Sequence, residues 1–264
     1  MGELDVLVVS DGSVTFPATA YFPASTQAAW TAHDRWLDHA GNLTFPYSCF
    51  LVRSGDRRVL IDTGVGDVEL GVFKGGTLLA ELAANGVQPG DVDTVFLTHS
   101  HLDHVGTAAL KSGGGAPTFP NATYHLTKTE MDFWAGRPVN DFGRHDVREA
   151  IASRFEAKED GDAIVPGVNV IAMPGHTPGH AGLVLSSGDA RAFVLGDAIS
   201  CPVQLTETEW SGAGDVDPAM ARRSQEALAR EIEGTGALVG AAHFPGLTFG
   251  RVMSGEGRRY WEPV

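Results

Sequence analysis

The stretch Thr98-His99-Ser100-His101-Leu102-Asp103-His104 carries four side chains able to bind a metal ion within six positions. The apolar run before it, residues 92–97, predicts a buried strand. Because side chains two apart on an extended chain share a face, we expect His99 and His101 to point at one metal ion. Asp103 and His104 are adjacent, so they would diverge on a strand and converge on a second ion only where the chain turns.

Further candidate ligands follow strands much later in the chain. An apolar run over 165–173 leads into Pro174-Gly175-His176-Thr177-Pro178-Gly179-His180, whose prolines and glycines predict a sharp loop that projects His176. A hairpin predicted over 183–195 stops at Asp197, and a last short strand over 237–242 delivers His243. A carboxylate at a strand end with no basic residue beside it is a candidate to bridge two metal ions.

The His-x-His-x-Asp-His pattern resembles the signature of the metallo-β-lactamase superfamily of metal-dependent hydrolases. A second resemblance lies at Asp62-Thr63-Gly64, a motif whose Asp supports the metal site without touching metal. The resemblance implies an α/β fold, a four-layer αββα sandwich, in a single domain over residues 1–264. It assigns His99, His101 and His176 to the first metal, Asp103, His104 and His243 to the second, and Asp197 to a position between the two.

This ligand set predicts a catalytic site rather than a structural one. Nitrogen and oxygen ligands without a thiolate suit two divalent ions, Zn²⁺ first, with Mn²⁺, Co²⁺ and Fe²⁺ as alternatives. Three ligands for each ion and a shared carboxylate leave room for water. We therefore interpret the site as a binuclear hydrolase centre, in which a metal-bridging hydroxide attacks a lactone or ester carbonyl. Asp103 is predicted to carry the proton to the leaving oxygen.

Residues 196–204 and 242–250 resemble the branch that contains quorum-quenching acyl-homoserine lactonases and methyl-parathion-hydrolase-like enzymes. The best-known lactonases of that branch carry a tyrosine three residues after the bridging Asp, where this chain has Ser200. Ser200 is the second predicted catalytic residue, and its short hydroxyl needs a water to reach a substrate oxygen. A lactonase or esterase is the first hypothesis. An organophosphate hydrolase, a hydroxyacylglutathione hydrolase and an iron-dependent oxidoreductase on the same fold stay open.

Composition and charge limit the classes of molecule that the protein is expected to bind. The chain has 264 residues and a net charge of −14, which disfavours nucleic acid, since binding a phosphate backbone needs clustered Lys and Arg. A small uncharged or apolar ester or lactone fits better. No signal segment and no apolar run near the ~20 residues of a membrane span is visible, and the two cysteines match no metal or redox spacing. The prediction is a cytoplasmic protein without a membrane partner.

Local patterns predict the remaining elements. Residues 25–39 have helical spacing with Ser25 as N-cap, and this segment is long enough to cover the site or to contact a second subunit of a homodimer. Five aromatic residues are candidates to line an apolar pocket: Phe73, Phe133, Trp134, Trp210 and Phe244. Further predictions are a hairpin over 4–16 about Asp11-Gly12-Ser13, a strand pair 47–54 and 57–62, a helix over 77–85 capped by Thr77, a helix with a Thr127–Glu130 capping box, and a helix from Asp217 to Gly234.

Overall fold

The computed structural model describes residues 2–137 and 143–264. The strands, in chain order, are β1 (Leu4–Pro17), β2 (Asn42–Ser54), β3 (Arg57–Ile61), β4 (Glu69–Leu70), β5 (Phe73–Lys74), β6 (Thr94–Phe96), β7 (Thr123–Thr127), β8 (Phe155–Lys158), β9 (Ala163–Val165), β10 (Val168–Ala172), β11 (Ala181–Ser187), β12 (Ala190–Val194), β13 (Leu238–Gly240), β14 (Gly250–Gly255) and β15 (Arg258–Pro263).

The α-helices are mostly short. They are α1 (Ala18–Tyr21), α2 (Leu78–Ala84), α3 (Leu102–Val105), α4 (Lys128–Ala135), α5 (His145–Ile151) and α6 (Pro218–Ile232). Single 3₁₀ segments lie at Ala29–Trp36, Pro89–Asp91, Gly106–Ala108, Lys111–Gly113, Ala152–Arg154 and Pro202–Leu205. Among the described residues, no helix combines the length and the apolar character that crossing a membrane requires.

Nearly all strands belong to two sheets. The first has the order β1-β2-β3-β6-β7-β8, and the second has the order β15-β14-β13-β12-β11-β10-β9. β3, β6, β7 and β8 run parallel in the first sheet, and β12 and β13 run parallel in the second. Because parallel strands end at the same edge of a sheet, the loops after β3 and β6 are neighbours, as are those after β12 and β13.

Alternation along the strands produces four layers. On β2 and β3, Leu51 and Leu60 face a core shared with Leu82 of α2, whereas Val52 and Val59 face a second core shared with β10, β11 and β12. A third core lies between the outer face of the second sheet and α6. Each fully buried leucine or valine contributes about 1.5–3 kcal/mol. Helix, sheet, sheet and helix form the αββα sandwich, and this prediction is confirmed.

The predicted hairpin over residues 4–16 is wrong. β1 is one long strand that pairs antiparallel with β2, and its register shifts between Ser10 and Ser13. Between these residues the Asp11 carboxylate accepts hydrogen bonds from the backbone amides of Gly66, Gly76 and Leu78. The polar residues that suggest a turn therefore form a bulge whose carboxylate anchors a different part of the chain.

Other local predictions are met in part. In the segment over 25–39, 3₁₀ turns occupy only Ala29–Trp36 and are interrupted at His33, whose backbone angles are not helical. The Ser25 hydroxyl donates to the Phe22 carbonyl and does not cap a helix. The helix over 77–85 is confirmed as α2, but Asp11 accepts from its first amide and Thr77 makes no cap. Helix α6 is confirmed, with Asp217 accepting from its first turn. No pattern predicts the C-terminal hairpin of β14 and β15, because β14 begins and ends with glycine.

Candidate metal centre

The structure brings the seven predicted ligands together from the segments that follow β6, β10, β12 and β13, with Asp103 and His104 on α3. They form three groups whose ligand atoms lie within 4.8 Å of one another: His99, His101 and His176; His99, His104 and Asp197; and Asp103, His104 and His243. Most of these side chains are buried, and those of His101 and Asp103 are half-buried. Parts of the chain far apart in sequence therefore converge on one point.

Three imidazoles of the first group aim nitrogens at each other. His99 Nε2 lies 2.9 Å from His101 Nδ1, and His101 Nδ1 lies 3.0 Å from His176 Nε2. Burial first, and then the neighbouring histidines, lower the pKa of His99 and His101 well below 6.5, so both rings are neutral. Neutral rings that face one another compete for the same proton, whereas a metal ion accepts a lone pair from each.

Asp197 lies between the two halves of the cluster. Its Oδ2 is 3.4 Å from His176 Nε2 and 3.2 Å from His243 Nε2, and its Oδ1 is 3.3 Å from His104 Nε2. Burial alone would raise the pKa of Asp197, but His243 and His104 outweigh it and hold this pKa well below 3.8. His243 Nε2 is also 3.5 Å from Asp103 Oδ2. One carboxylate thus reaches histidines of both predicted sites.

The residues present fit divalent metal ions. Two buried atoms of the cluster, His104 Nε2 and Asp197 Oδ1, have no hydrogen-bond partner in the described part of the chain. An unsatisfied buried polar atom costs about 1–3 kcal/mol, so both atoms favour a ligand that accepts their lone pairs. The donor set of imidazole nitrogens and carboxylate oxygens suits Zn²⁺ and also Mn²⁺, Fe²⁺ or Co²⁺.

Three of these histidines are oriented through their second ring nitrogen. His104 Nδ1 is 2.8 Å from Asp62 Oδ2, His176 Nδ1 is 3.0 Å from Asp215 Oδ1, and His243 Nδ1 is 2.9 Å from the Pro46 carbonyl oxygen. An N–H held in this way fixes the tautomer and turns the other nitrogen toward the cluster. Sequence motifs indicate the role of Asp62, but nothing in the sequence indicates Asp215.

Asp62 supports the segment Thr98–His104 through hydrogen bonds to its first and last residues. Its backbone has φ +58°, a left-handed conformation that costs a residue with a side chain about 1–2 kcal/mol. This conformation lets its carboxylate accept from both the backbone amide and the hydroxyl of Thr98 while it contacts His104. Thr98 directly precedes His99, so one strained residue orients both ends of the motif.

The position of Asp197 depends on His180, which contacts it in space, and on Gly196, which precedes it in the chain. Its backbone amide donates to His180 Nε2 at 2.9 Å, and the other ring nitrogen of His180 contacts the Met173 carbonyl oxygen. Burial lowers the pKa of His180 to about 3, so this ring stays neutral and accepts the hydrogen bond. Gly196 has φ +53°, and a Cβ there would come within 2.7 Å of His180 Nε2. Only glycine fits before Asp197.

A cavity of about 360 Å³ opens on the cluster. Apolar and aromatic side chains form one wall and the predicted ligands form the other; the lining residues are Val14, Phe16, Ala20, Tyr21, Phe45, Phe73, His101, Asp103, His176, Asp197, Ala213, Gly214 and His243. Of the aromatic residues predicted for the pocket, Phe73 lines it. The prediction is wrong for the other four, which are not among the lining residues: Phe133, Trp134, Trp210 and Phe244.

Ser200 is buried next to the cavity and does not line it. It is 2% exposed, and its Oγ accepts a hydrogen bond of 2.9 Å from the hydroxyl of Tyr21, which does line the cavity. Sequence reasoning missed Tyr21, Phe16 and Phe45 because they lie in or just after strands, where an aromatic residue predicts core packing. The catalytic role of Ser200 stays a prediction.

Asp215→Asn tests whether the hydrogen bond to His176 Nδ1 supports metal binding. We expect metal affinity to fall about 10–100-fold, because the amide keeps the shape of the side chain but loses the charge that orients the imidazole. Competition with a chromophoric chelator measures it. Asp217→Asn is the matched control, since asparagine caps a helix as well as aspartate does. Equal metal affinities for the two variants would remove Asp215 from the site.

The fold and the cluster together define a metal-dependent hydrolase class. The chain matches the model of the Metallo-beta-lactamase superfamily over residues 42–243, and it belongs to this superfamily. It is therefore a hydrolytic enzyme, as the sequence predicts.

Relatives with a described activity are distant. The N-acyl homoserine lactonase AiiA of Bacillus thuringiensis subsp. kurstaki is 27% identical over 210 residues, which cover 72% of this chain and 78% of AiiA. AidC, described as a dizinc quorum-quenching lactonase in complex with a product, has a similar structure, with a TM-score of 0.91 and 23% identity over 100% of this chain and 95% of AidC. The hydrolase AbOPH of the beta lactamase superfamily gives a TM-score of 0.87 and 27% identity, again over 100% and 95% of the two chains.

Proposed function

We propose that this chain is a binuclear metal-dependent hydrolase that cleaves a small, uncharged lactone or ester. The observation that carries the proposal is the position of Asp197, whose oxygens reach histidines of two ligand groups beside an apolar cavity. One ion would be held by His99, His101 and His176 and the other by Asp103, His104 and His243, with Asp197 shared between them.

Two divalent ions bound there would supply Lewis acidity and an acidified water as the nucleophile at neutral pH. The chain's own residues place the other groups. Asp103 lines the cavity and keeps 15% of its side chain exposed, against 4% for Asp197, so it is the carboxylate best placed to move a proton to the leaving oxygen.

The cavity favours an uncharged substrate with an apolar part. Its volume of about 360 Å³ is in the range of small-molecule sites, about 300–1,000 Å³. Val14, Phe16, Phe45 and Phe73 give it an apolar wall, and no Lys or Arg is among its described lining residues. Lactones and simple esters meet these conditions. A glutathione thioester carries two carboxylates, and the described lining of the cavity offers no Lys or Arg to pair with them. That AiiA and AidC are lactonases supports the lactone in particular.

A hydrolysis panel tests the proposal. Protein loaded with Zn²⁺, Mn²⁺ or Co²⁺ is assayed on lactones, aryl esters and phosphotriesters, while elemental analysis counts metal per chain. We expect two equivalents of metal and turnover of a lactone or ester. Turnover of phosphotriesters alone would reassign the chain as an organophosphate hydrolase. Metal-loaded protein that turns over none of the three substrate classes would reject the proposed substrates.

A further inference from the structure

Tyr21 is held rigidly at the wall of the cavity. It ends α1, and its ring packs edge-on against Phe45 with ring centres 4.6 Å apart. Phe45 in turn stacks on the ring of His243 at 5.2 Å, and Phe16 flanks Tyr21 on another side at 6.1 Å. Tyr21 therefore packs against His243 of the predicted second metal site through Phe45, and it is not itself one of the predicted ligands.

The Tyr21 hydroxyl reaches the segment that carries Asp197. It donates to Ser200 Oγ at 2.9 Å, and the backbone amide of Ser200 is anchored on the Gln204 side chain. Ser200 Oγ makes no other hydrogen bond among the described residues, so its one side-chain contact there is the phenol. The phenol hydrogen lies on Ser200 Oγ in this arrangement, and rotation about the Cζ–O bond of Tyr21 turns it toward a carbonyl oxygen bound in the cavity.

The phenol remains a hydrogen-bond donor throughout the neutral range. Burial first, and then the charge of Asp197, raise the pKa of Tyr21 well above 10. A protonated phenol beside the cavity donates to an oxygen that gains negative charge, and this hydrogen bond strengthens as the charge develops. No proton leaves Tyr21 in this role.

Building on the proposed function, we propose that Tyr21 is a catalytic residue that donates a hydrogen bond to the carbonyl oxygen of the bound lactone or ester. Ser200 is its positioning residue and acts through the phenol rather than through a water. The short hydroxyl at position 200 is thereby extended by a tyrosine from a segment 179 residues away in sequence. Tyr21 also selects for substrates whose carbonyl oxygen reaches the cavity wall formed by α1.

Tyr21→Phe tests the phenol without changing the ring packing. We expect kcat on the best substrate of the panel to fall about 10²-fold, the cost of removing one oxyanion donor, with KM and metal content unchanged. A second readout is the affinity for a phosphonate monoester, which mimics the charged intermediate and should bind about 10²-fold more weakly. Affinity for a neutral ketone analogue should fall far less, because a neutral oxygen accepts a weaker hydrogen bond than a charged one. Tyr260→Phe, the same substitution on β15, should behave as wild type.

Ser200→Ala and the double variant separate positioning from direct contact. If Ser200 acts through Tyr21, Ser200→Ala lowers kcat less than Tyr21→Phe does, and it adds no further loss in the Tyr21→Phe background. Wild-type kcat and phosphonate affinity in Tyr21→Phe, or fully additive losses in the double variant, would overturn the inference. A wild-type protein that hydrolyses no lactone or ester would instead reject the proposed function. Circular dichroism confirms that each variant is folded.

Discussion

Replacing Asp197 by alanine is expected to remove bound metal and hydrolysis together. This carboxylate reaches His176, His243 and His104, so its loss takes an oxygen ligand from both predicted ions at once. The stabilisation that a metal centre gives to transition-state charge is worth several kcal/mol. Since each 1.36 kcal/mol is tenfold in rate, we expect a loss on the order of 10³-fold or more in kcat/KM. Elemental analysis and the hydrolysis assay measure the two effects on the same sample.

Two comparisons make this result specific. Asp189→Ala removes an exposed carboxylate from the turn between β11 and β12, the hairpin that leads to Asp197, and should keep both metal ions and full activity. His101→Ala should lose the first ion and hydrolysis, because His101 Nδ1 faces both other histidines of that group. Retention of two equivalents of metal and wild-type turnover by Asp197→Ala would remove this residue from the mechanism.

The predicted ligands could be found from sequence because their signals are local. The spacing of His99, His101 and His104 directly after an apolar run contains both the residue types and the strand end that presents them. Asp197 and His243 each follow a short apolar strand as well, and the resemblance to the superfamily is what assigns them as ligands. The strand pair 47–54 and 57–62 is likewise predicted from a local pattern, whereas the structure shows that its two faces are buried against different layers of the sandwich.

Groups that act on these residues from distant segments could not be found in the same way. Asp215 contacts His176 across 39 residues, and Tyr21 contacts Ser200 across 179, with no repeating pattern that links the partners. Asp11 shows the same difficulty in the fold. Because Asp11 precedes a glycine and a serine, the local sequence predicts a turn. Only the structure shows that backbone amides 55–67 residues later donate hydrogen bonds to the Asp11 carboxylate. Local propensity describes a residue's own segment, not its partners in space.

Glu130 combines a local signal with a distant role. Its backbone amide donates to the Thr127 side chain, which confirms the predicted N-cap of α4. Its side chain does not return to Thr127, as a capping box requires, because the carboxylate is fully buried and has other partners. Oε1 accepts from the Ser100 amide and the Trp134 indole, and Oε2 accepts from the Thr177 hydroxyl and the Gly179 amide.

This carboxylate joins the two loops that supply the first predicted metal site. Ser100 lies between His99 and His101, and Thr177 directly follows His176. Each oxygen holds one loop, so this single side chain bridges the two loops. The indole of Trp134, held by the same carboxylate, also packs edge-on against His101 with ring centres 5.5 Å apart. Glu130 therefore positions the three histidines without facing the metal itself.

Glu130→Gln is expected to loosen this site and to destabilise the fold. Glutamine keeps the size of the side chain but replaces one acceptor oxygen by a donor. The Thr177 hydroxyl can turn to accept from the new amide, so in the more favourable orientation the Gly179 amide loses its partner and the remaining hydrogen bonds lose the carboxylate charge. Each unsatisfied donor costs about 1–3 kcal/mol, and we expect the free energy of unfolding of the metal-free protein to fall by about 3 kcal/mol in denaturant titrations. The affinity of the first-bound metal should fall about 10–100-fold in chelator competition.

Asp132→Asn, a carboxylate-to-amide change at an exposed ion pair of the same helix, should alter stability by less than about 1 kcal/mol. If Glu130→Gln matched that control in both measurements, the carboxylate would be a replaceable core residue, and the two loops would be held apart by their own backbone.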